Sequence, residues 1–200
     1  MEYYKTITAR GTAEFKDKGS RFIAIAEPID SPEAFKVLLA EIKKEHPKAN
    51  HHCFAWRLGF DGNLFRLSDD GEPSGSAGRP ILGQIDSKEL INTAVVVVRY
   101  FGGTLLGVPG LINAYKTATT LALQVTPILE KPVEAAYKVH CSYPLLNDVM
   151  TLLKQSNCSI GAIEQSLFCV VHTGIAKTRQ EQVLQRLRDI YGVEVFEDKK

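Results

Sequence analysis

The sequence is poor in the features that would place it quickly. No apolar run approaches the roughly 20 residues a membrane-spanning helix needs; the longest, Thr93 to Val98, meets Arg99 at once. The opening Met1-Glu-Tyr-Tyr-Lys5 has neither the basic nor the apolar region of a signal peptide, which predicts a cytoplasmic protein with no membrane association. An excess of one charge is missing too, since 24 basic face 23 acidic residues for a net +1. Residues 1–132 hold 16 basic and 15 acidic groups and residues 133–200 hold 8 of each, so neither part is a basic nucleic-acid module and any polyanion site must be local. Cys53, Cys141, Cys158 and Cys169 form no C-x-x-C pair, which argues for free buried thiols rather than zinc or redox chemistry. Neither G-x-G-x-x-G nor a P-loop occurs, and no cofactor is expected.

What is present suits an α+β chain with a substantial core, 44% of its residues being hydrophobic. Thr6 to Phe15 and Arg21 to Ile29 read as strands joined by the turn Lys16–Ser20. Ser31 offers a helix cap, Pro32 suits the first helical position, and Phe35, Leu38, Leu39 and Ile42 recur at helical spacing up to His46-Pro47. His52 to Leu58 and Asn63 to Ser68 flank Gly59-Phe-Asp-Gly62 as a second hairpin, and a long polar loop is predicted from Asp69 to Pro80. Thr93 to Tyr100 reads as a central strand buried on both faces, followed by a helix over Leu111 to Val125. Trp56 falls in step with His52 and Phe54 and is expected in the core.

Pro127 and Pro132 bracket a restart of the pattern, so a boundary is expected near residue 132, giving domains 1–132 and 133–200. The second domain runs strand 136–142, helix 144–155, strands 158–163 and 167–174, helix 179–191, strand 193–197. That β-α-β-β-α-β order is the ferredoxin-like signature. Thr178 and Glu181 have capping-box spacing and Gly192 suits a C-terminal stop. On its first strand Lys138, His140 and Ser142 face one side and Tyr137, Val139 and Cys141 the other, a poor pattern for base stacking.

Two constellations carry chemical potential. From Arg99 to Tyr115 a buried strand passes through Gly102, Gly103, Gly107 and Gly110 into a helix. Glycines there permit positive φ and close ligand approach, and a helix N-terminus offers free N–H groups to an anion. Arg99, Arg79 and Lys116 would add charge to a phosphate site; otherwise the glycines only pack. The second is Ser68 to Pro80, where Asp69, Asp70 and Glu72 are carboxylates that bind hard cations, near His51 and His52, either of which supplies a nitrogen ligand or a general base. Adjacent strand residues face opposite ways, so only one of the two histidines faces a given site.

Together, His51-His52-Cys-Phe-Ala-Trp56, Ser68-Asp-Asp-Gly-Glu72-Pro-Ser-Gly-Ser-Ala-Gly78, Val98-Arg-Tyr-Phe-Gly-Gly103 and Leu106-Gly-Val-Pro-Gly110-Leu-Ile-Asn-Ala-Tyr115 closely resemble the IMPACT family, in its bacterial YigZ-like branch. The resemblance implies an N-terminal βαβ-type domain of the fold shared with the fourth domain of elongation factor G, and a ferredoxin-like C-terminal domain resembling another elongation-factor module. It implies a role in translation or stress response, with RNA or ribosome-associated factors as partners. Eukaryotic members act as translational regulators through an additional N-terminal domain, which a chain starting at the shared domain is expected to lack. The expectation is a non-catalytic binding protein contacting RNA or another phosphate-bearing ligand at the glycine-rich turn. The alternatives are a metal-assisted hydrolase built on Asp69, Asp70 and Glu72 with His51 or His52, and a protein-interaction scaffold.

Overall fold

A computed structural model describes residues 2–60 and 63–198; Asp61 and Gly62, in the tip expected for the second hairpin, lie outside the described residues. The chain divides into two compact units, residues 4–131 and residues 132–200 joined by the N-terminal residues up to Tyr3. Among the described residues no helix is long and apolar enough to cross a membrane.

The larger unit opens with β1 (Tyr3–Ile7), β2 (Gly11–Asp17) and β3 (Ser20–Pro28). The single first strand expected from Thr6 to Phe15 is therefore broken, because β1 leaves to pair with a different, late strand while β2 joins β3. Gly11, where β2 begins, has no room for a side chain: a Cβ would lie 2.0 Å from Thr126 Oγ1. Lys18 (φ 44°) and Gly19 (φ 80°) make the β2–β3 turn, positive φ at both central positions matching the twist of a tight hairpin. α1 (Pro32–Glu45) starts as expected, with Ser31 Oγ accepting from Ala34 N at 3.2 Å. Then come β4 (His51–Leu58), β5 (Leu64–Ser68), α2 (Gly78–Ser87), β6 (Thr93–Tyr100), α3 (Gly107–Gln124) and β7 (Ile128–Pro132), the partner of β1.

The main sheet has the order β2-β3-β6-β4-β5 with antiparallel neighbours. β3 and β4 both run against β6, so β3-α1-β4 is a β-α-β unit with β6 inserted between its strands. β6 is central and buried on both faces. Val95 and Val97 meet α2 and α3 through Ile81, Ile85, Leu111 and Tyr115, while Val96 and Val98 meet α1 through Phe35, Leu38 and Ile42. α2 is a correction to the loop expected through Pro80, and α3 begins four residues before the expected Leu111.

The smaller unit comprises β8 (Glu134–Cys141), α4 (Leu146–Gln155), β9 (Ser159–Gln165), β10 (Cys169–Ala176), α5 (Gln180–Arg188) and β11 (Glu194–Glu197). Its sheet order is β11-β8-β10-β9, antiparallel throughout. Tyr137, Val139 and Cys141 face the helices, joined there by Val149, Leu153 and Leu187. Thr178 makes no capping box, because it sits in a 3₁₀ turn over Lys177–Arg179 and α5 has no side-chain cap. On the open face His140 stacks on Phe168 (centroids 5.3 Å) and meets Phe196 edge-on (4.9 Å), an aromatic row invisible from β8 alone because two of its members lie outside that strand.

Candidate functional site

One end of the main sheet gathers most of the residues singled out above: β4 begins there, β6 finishes there, and α2 and α3 both start there. The segment after Ser68 is wound tightly. Asp69 accepts from Gly75 N (2.8 Å), Gly78 N (2.8 Å) and Ala77 N (3.0 Å), so its carboxylate closes the loop and caps α2 from nine positions upstream. Burial pushes the Asp69 carboxyl up, but those three N–H donors and Arg79 outweigh it and hold it below its usual value. Asp70, at φ 41°, accepts from His52 N at 2.6 Å, and its carbonyl lies 2.8 Å from His51 Nδ1.

This winding drives Glu72 inward until its side chain is 3% exposed. There Arg99 Nη1 donates to Glu72 Oε1 at 2.7 Å, and Tyr115 Oη donates to the same oxygen at 2.7 Å. Arg99 Nη2 donates to Ser20 Oγ at 3.3 Å, and its guanidinium carbon lies 5.4 and 5.6 Å from the ring centres of Phe22 and Phe101. Burial raises the Tyr115 hydroxyl strongly, with Cys53 and Glu72 adding to it. Cys53 Sγ, 3.3 Å from Tyr115 Oη, is pushed up to about 12, chiefly by burial, and is a packed thiol rather than a nucleophile. His51 Nε2 stands 3.9 Å from Glu72 Oε1 at the edge of this network.

The glycine-rich turn lies over the network. Gly102 is held against the β2–β3 hairpin: its N–H donates to Ser20 Oγ at 3.2 Å, and a Cβ on it would fall 1.9 Å from the Gly19 carbonyl carbon. Gly103 (φ 85°) and Gly107 (φ 71°) have no such neighbour; space above Gly103 is open to 4 Å. Gly110 meets the Leu106 side chain of the preceding turn. α3 has no side-chain cap and no acidic residue in its first turn, and its third residue, Pro109, carries no N–H, so the donors it offers at the rim are those of Gly107 and Val108. Phe101, Leu105, Val108 and Ile112 stand exposed around them, Leu105 at 82%. Arg79 and Lys116 are exposed at the starts of α2 and in the third turn of α3, with no ion pair among the described residues.

The two constellations thus meet, through Glu72 and Arg99, but not in the way spacing suggested. Arg99 points inward to a carboxylate instead of outward to a ligand. Asp69, Asp70 and Glu72 accept from different protein donors and diverge, and no group of three or more His, Cys, Asp or Glu residues among the described residues has metal-binding geometry. Ser20 and Phe22 join the network from a hairpin that carries no chemical motif, and Tyr115, the last residue of the glycine-rich stretch, joins it through contacts with Glu72 and Cys53 that spacing does not reveal.

The family model for the Impact N-terminal domain matches residues 18–123. IMPACT family member YigZ of Escherichia coli is 34% identical over 191 residues, covering 94% of each chain. IMPACT family member YvyE of Bacillus subtilis is 32% identical over 83% of this chain and 76% of its own. A crystal structure of a hypothetical protein, 31% identical, covers 100% of this chain and 99% of its own with a TM-score of 0.77.

Proposed function

This chain belongs to the IMPACT family, and from that premise we propose that it is a non-catalytic, cytoplasmic binding protein linked to translation or stress response, contacting RNA or another phosphate-bearing ligand at the β6–α3 turn. We read its larger unit as the counterpart of the fourth domain of elongation factor G and its smaller unit as ferredoxin-like, on the split β-α-β element of the first and the β11-β8-β10-β9 order of the second.

The observation that carries the reading is the start of α3: the uncapped N–H groups of Gly107 and Val108, positive-φ glycines with open space above Gly103, and no acid in the first turn. Such a helix start favours an anion by geometry and by its partial positive charge. In this reading Arg79 and Lys116 touch phosphate, while Gly102 and Arg99 hold the turn in shape. The exposed Phe101, Leu105, Val108 and Ile112 favour a second reading, in which the same rim docks a protein. The hydrolase alternative has less support, since each loop carboxylate is already engaged by the protein's own donors.

Co-sedimentation with RNA and with ribosomes across a salt series tests this, comparing wild type with an Arg79→Ala/Lys116→Ala variant. Loss of two phosphate contacts should lower the slope of log affinity against log salt by roughly 1.4 for single strands. Unchanged binding in the folded variant rejects the phosphate site; a partner retained after nuclease treatment and lost on Leu105→Asp supports the protein-docking reading instead.

A further inference from the structure

The opposite face of the main sheet is covered unevenly. α1 lies over β3, β6 and β4, and leaves a cleft of about 410 Å³ between itself and the edge strand β5. That volume falls among small-ligand sites, roughly 300–1,000 Å³. Its floor is aromatic: Phe35, Phe54 and Trp56, with Phe35 centred 4.7 Å from Phe54 and 6.1 Å from Trp56. Its walls are cationic. Lys36 and Lys43 stand seven residues apart on one face of α1, with Leu39 between them, and Arg66 faces them from β5, directly opposite Trp56 in the β4–β5 register.

Two features make this more than a groove. Lys43 and Arg66 form no ion pair among the described residues, and Lys36 has only an exposed contact with Glu33 at 3.6 Å. Three cations therefore face one carboxylate, Asp70, whose Oδ2 already accepts from His52 N. Beneath them the Trp56 indole N–H is buried with no hydrogen-bond partner, a donor that a native fold seldom leaves unused. The cleft combines the edges of buried aromatic rings, an unmet donor and positive charge from two walls.

We propose that this cleft binds a nucleotide, a planar acceptor-bearing base against Phe54 and Trp56 and its phosphate between Lys43 and Arg66. The base packs on the ring edges that Phe54 and Trp56 leave open, 7% and 4% of each residue, and supplies the acceptor that the indole lacks. The phosphate takes the guanidinium and ammonium groups that have no internal partner. The nucleotide comes either free or as one unit of single-stranded RNA. The site is independent of the α3 turn: its walls are α1 and β5, and neither Arg79 nor Lys116 belongs to it.

Trp56 is the only tryptophan, so it reports on its own site. The full chain is titrated with AMP, with UMP, with a ten-nucleotide RNA and with inorganic phosphate. Binding is followed by tryptophan emission excited at the red edge and by calorimetry. Saturable quenching by a mononucleotide, weakened about tenfold or more in a Lys43→Ala/Arg66→Ala variant of unchanged circular dichroism, supports the proposal with a free nucleotide as ligand. The same loss seen only with the oligonucleotide supports it with RNA as the source. No saturable response to any nucleotide by either method overturns it, as does equal affinity in the double variant or equal affinity for inorganic phosphate. Arg79→Ala/Lys116→Ala should leave this signal intact, which separates its failure from failure of the α3 site.

Discussion

Arg99 and Glu72 stand 27 positions apart in the chain and meet at 2.7 Å with side chains 6% and 3% exposed. Two charges so far from water stabilise the fold only as a pair, because each alone leaves an uncompensated ion in the interior. Arg99→Met should therefore destabilise by about 3–5 kcal/mol, and Glu72→Leu by a similar amount. The double variant should recover much of that loss. Urea denaturation of the four proteins measures the coupling; strictly additive losses would show that the pair is not a unit.

Asp69 gives the protein an acid-sensitive cap. Its folded carboxyl lies below the unfolded value, so its contribution is complete above the unfolded pKa of about 3.9 and is lost as pH falls through the folded one. Asp69→Asn puts an amide NH2 against one of the backbone N–H donors and should cost about 1–3 kcal/mol at pH 7. Stability curves of wild type and variant should converge as pH falls from 5 towards 2. A gap that stays constant to pH 2 would mean the carboxylate charge is immaterial.

Neighbouring glycines in the turn should respond differently to the same change. Gly102→Ala drives a methyl group into the Gly19 backbone and should cost more than Gly103→Ala, where space is free and only the positive φ is strained, by about 1–2 kcal/mol. Gly103→Asn should cost less still, since asparagine tolerates that conformation. Equal midpoints for the two alanine variants would contradict the close approach of the β2–β3 hairpin.

Thiol reactivity offers a direct check on the buried network. Cys53, Cys141 and Cys169 are buried and Cys158 is partly exposed. With a pKa pushed up to about 12, Cys53 holds almost no thiolate at pH 8. Ellman's reagent should react with Cys158 alone in the native protein and with all four cysteines in denaturant. Prompt modification of Cys53, located by peptide mapping, would show that the loop over it opens readily.

Much of the fold is written locally. Ser31-Pro32 and the apolar spacing behind it specify α1, because a cap and a helical stripe are complete within about twelve residues. The β-branched run from Thr93 specifies a strand buried on both faces, and the element order of the smaller unit follows from its alternating periods. α2 escaped because its signal is not local: Ala77 cannot cap it, Pro80 and Gly83 blur its pattern, and the carboxylate that satisfies its first N–H groups comes from Asp69. The expected Thr178–Glu181 box failed for the converse reason, a local motif overridden by a 3₁₀ turn.

The sequence by itself thus determined the family, the mixed α/β class and the two stretches that build the candidate site, since each rests on residues adjacent in the chain. Only the tertiary structure decided what those residues do. Antiparallel pairing of β4 with β6 brings His51 opposite Arg99, and the tight winding after Ser68 turns Glu72 into the interior. An arginine that spacing offers to a ligand is then neutralised by a carboxylate from another segment. Which charges remain free at the surface is settled by long-range pairing, and composition and spacing carry no record of it.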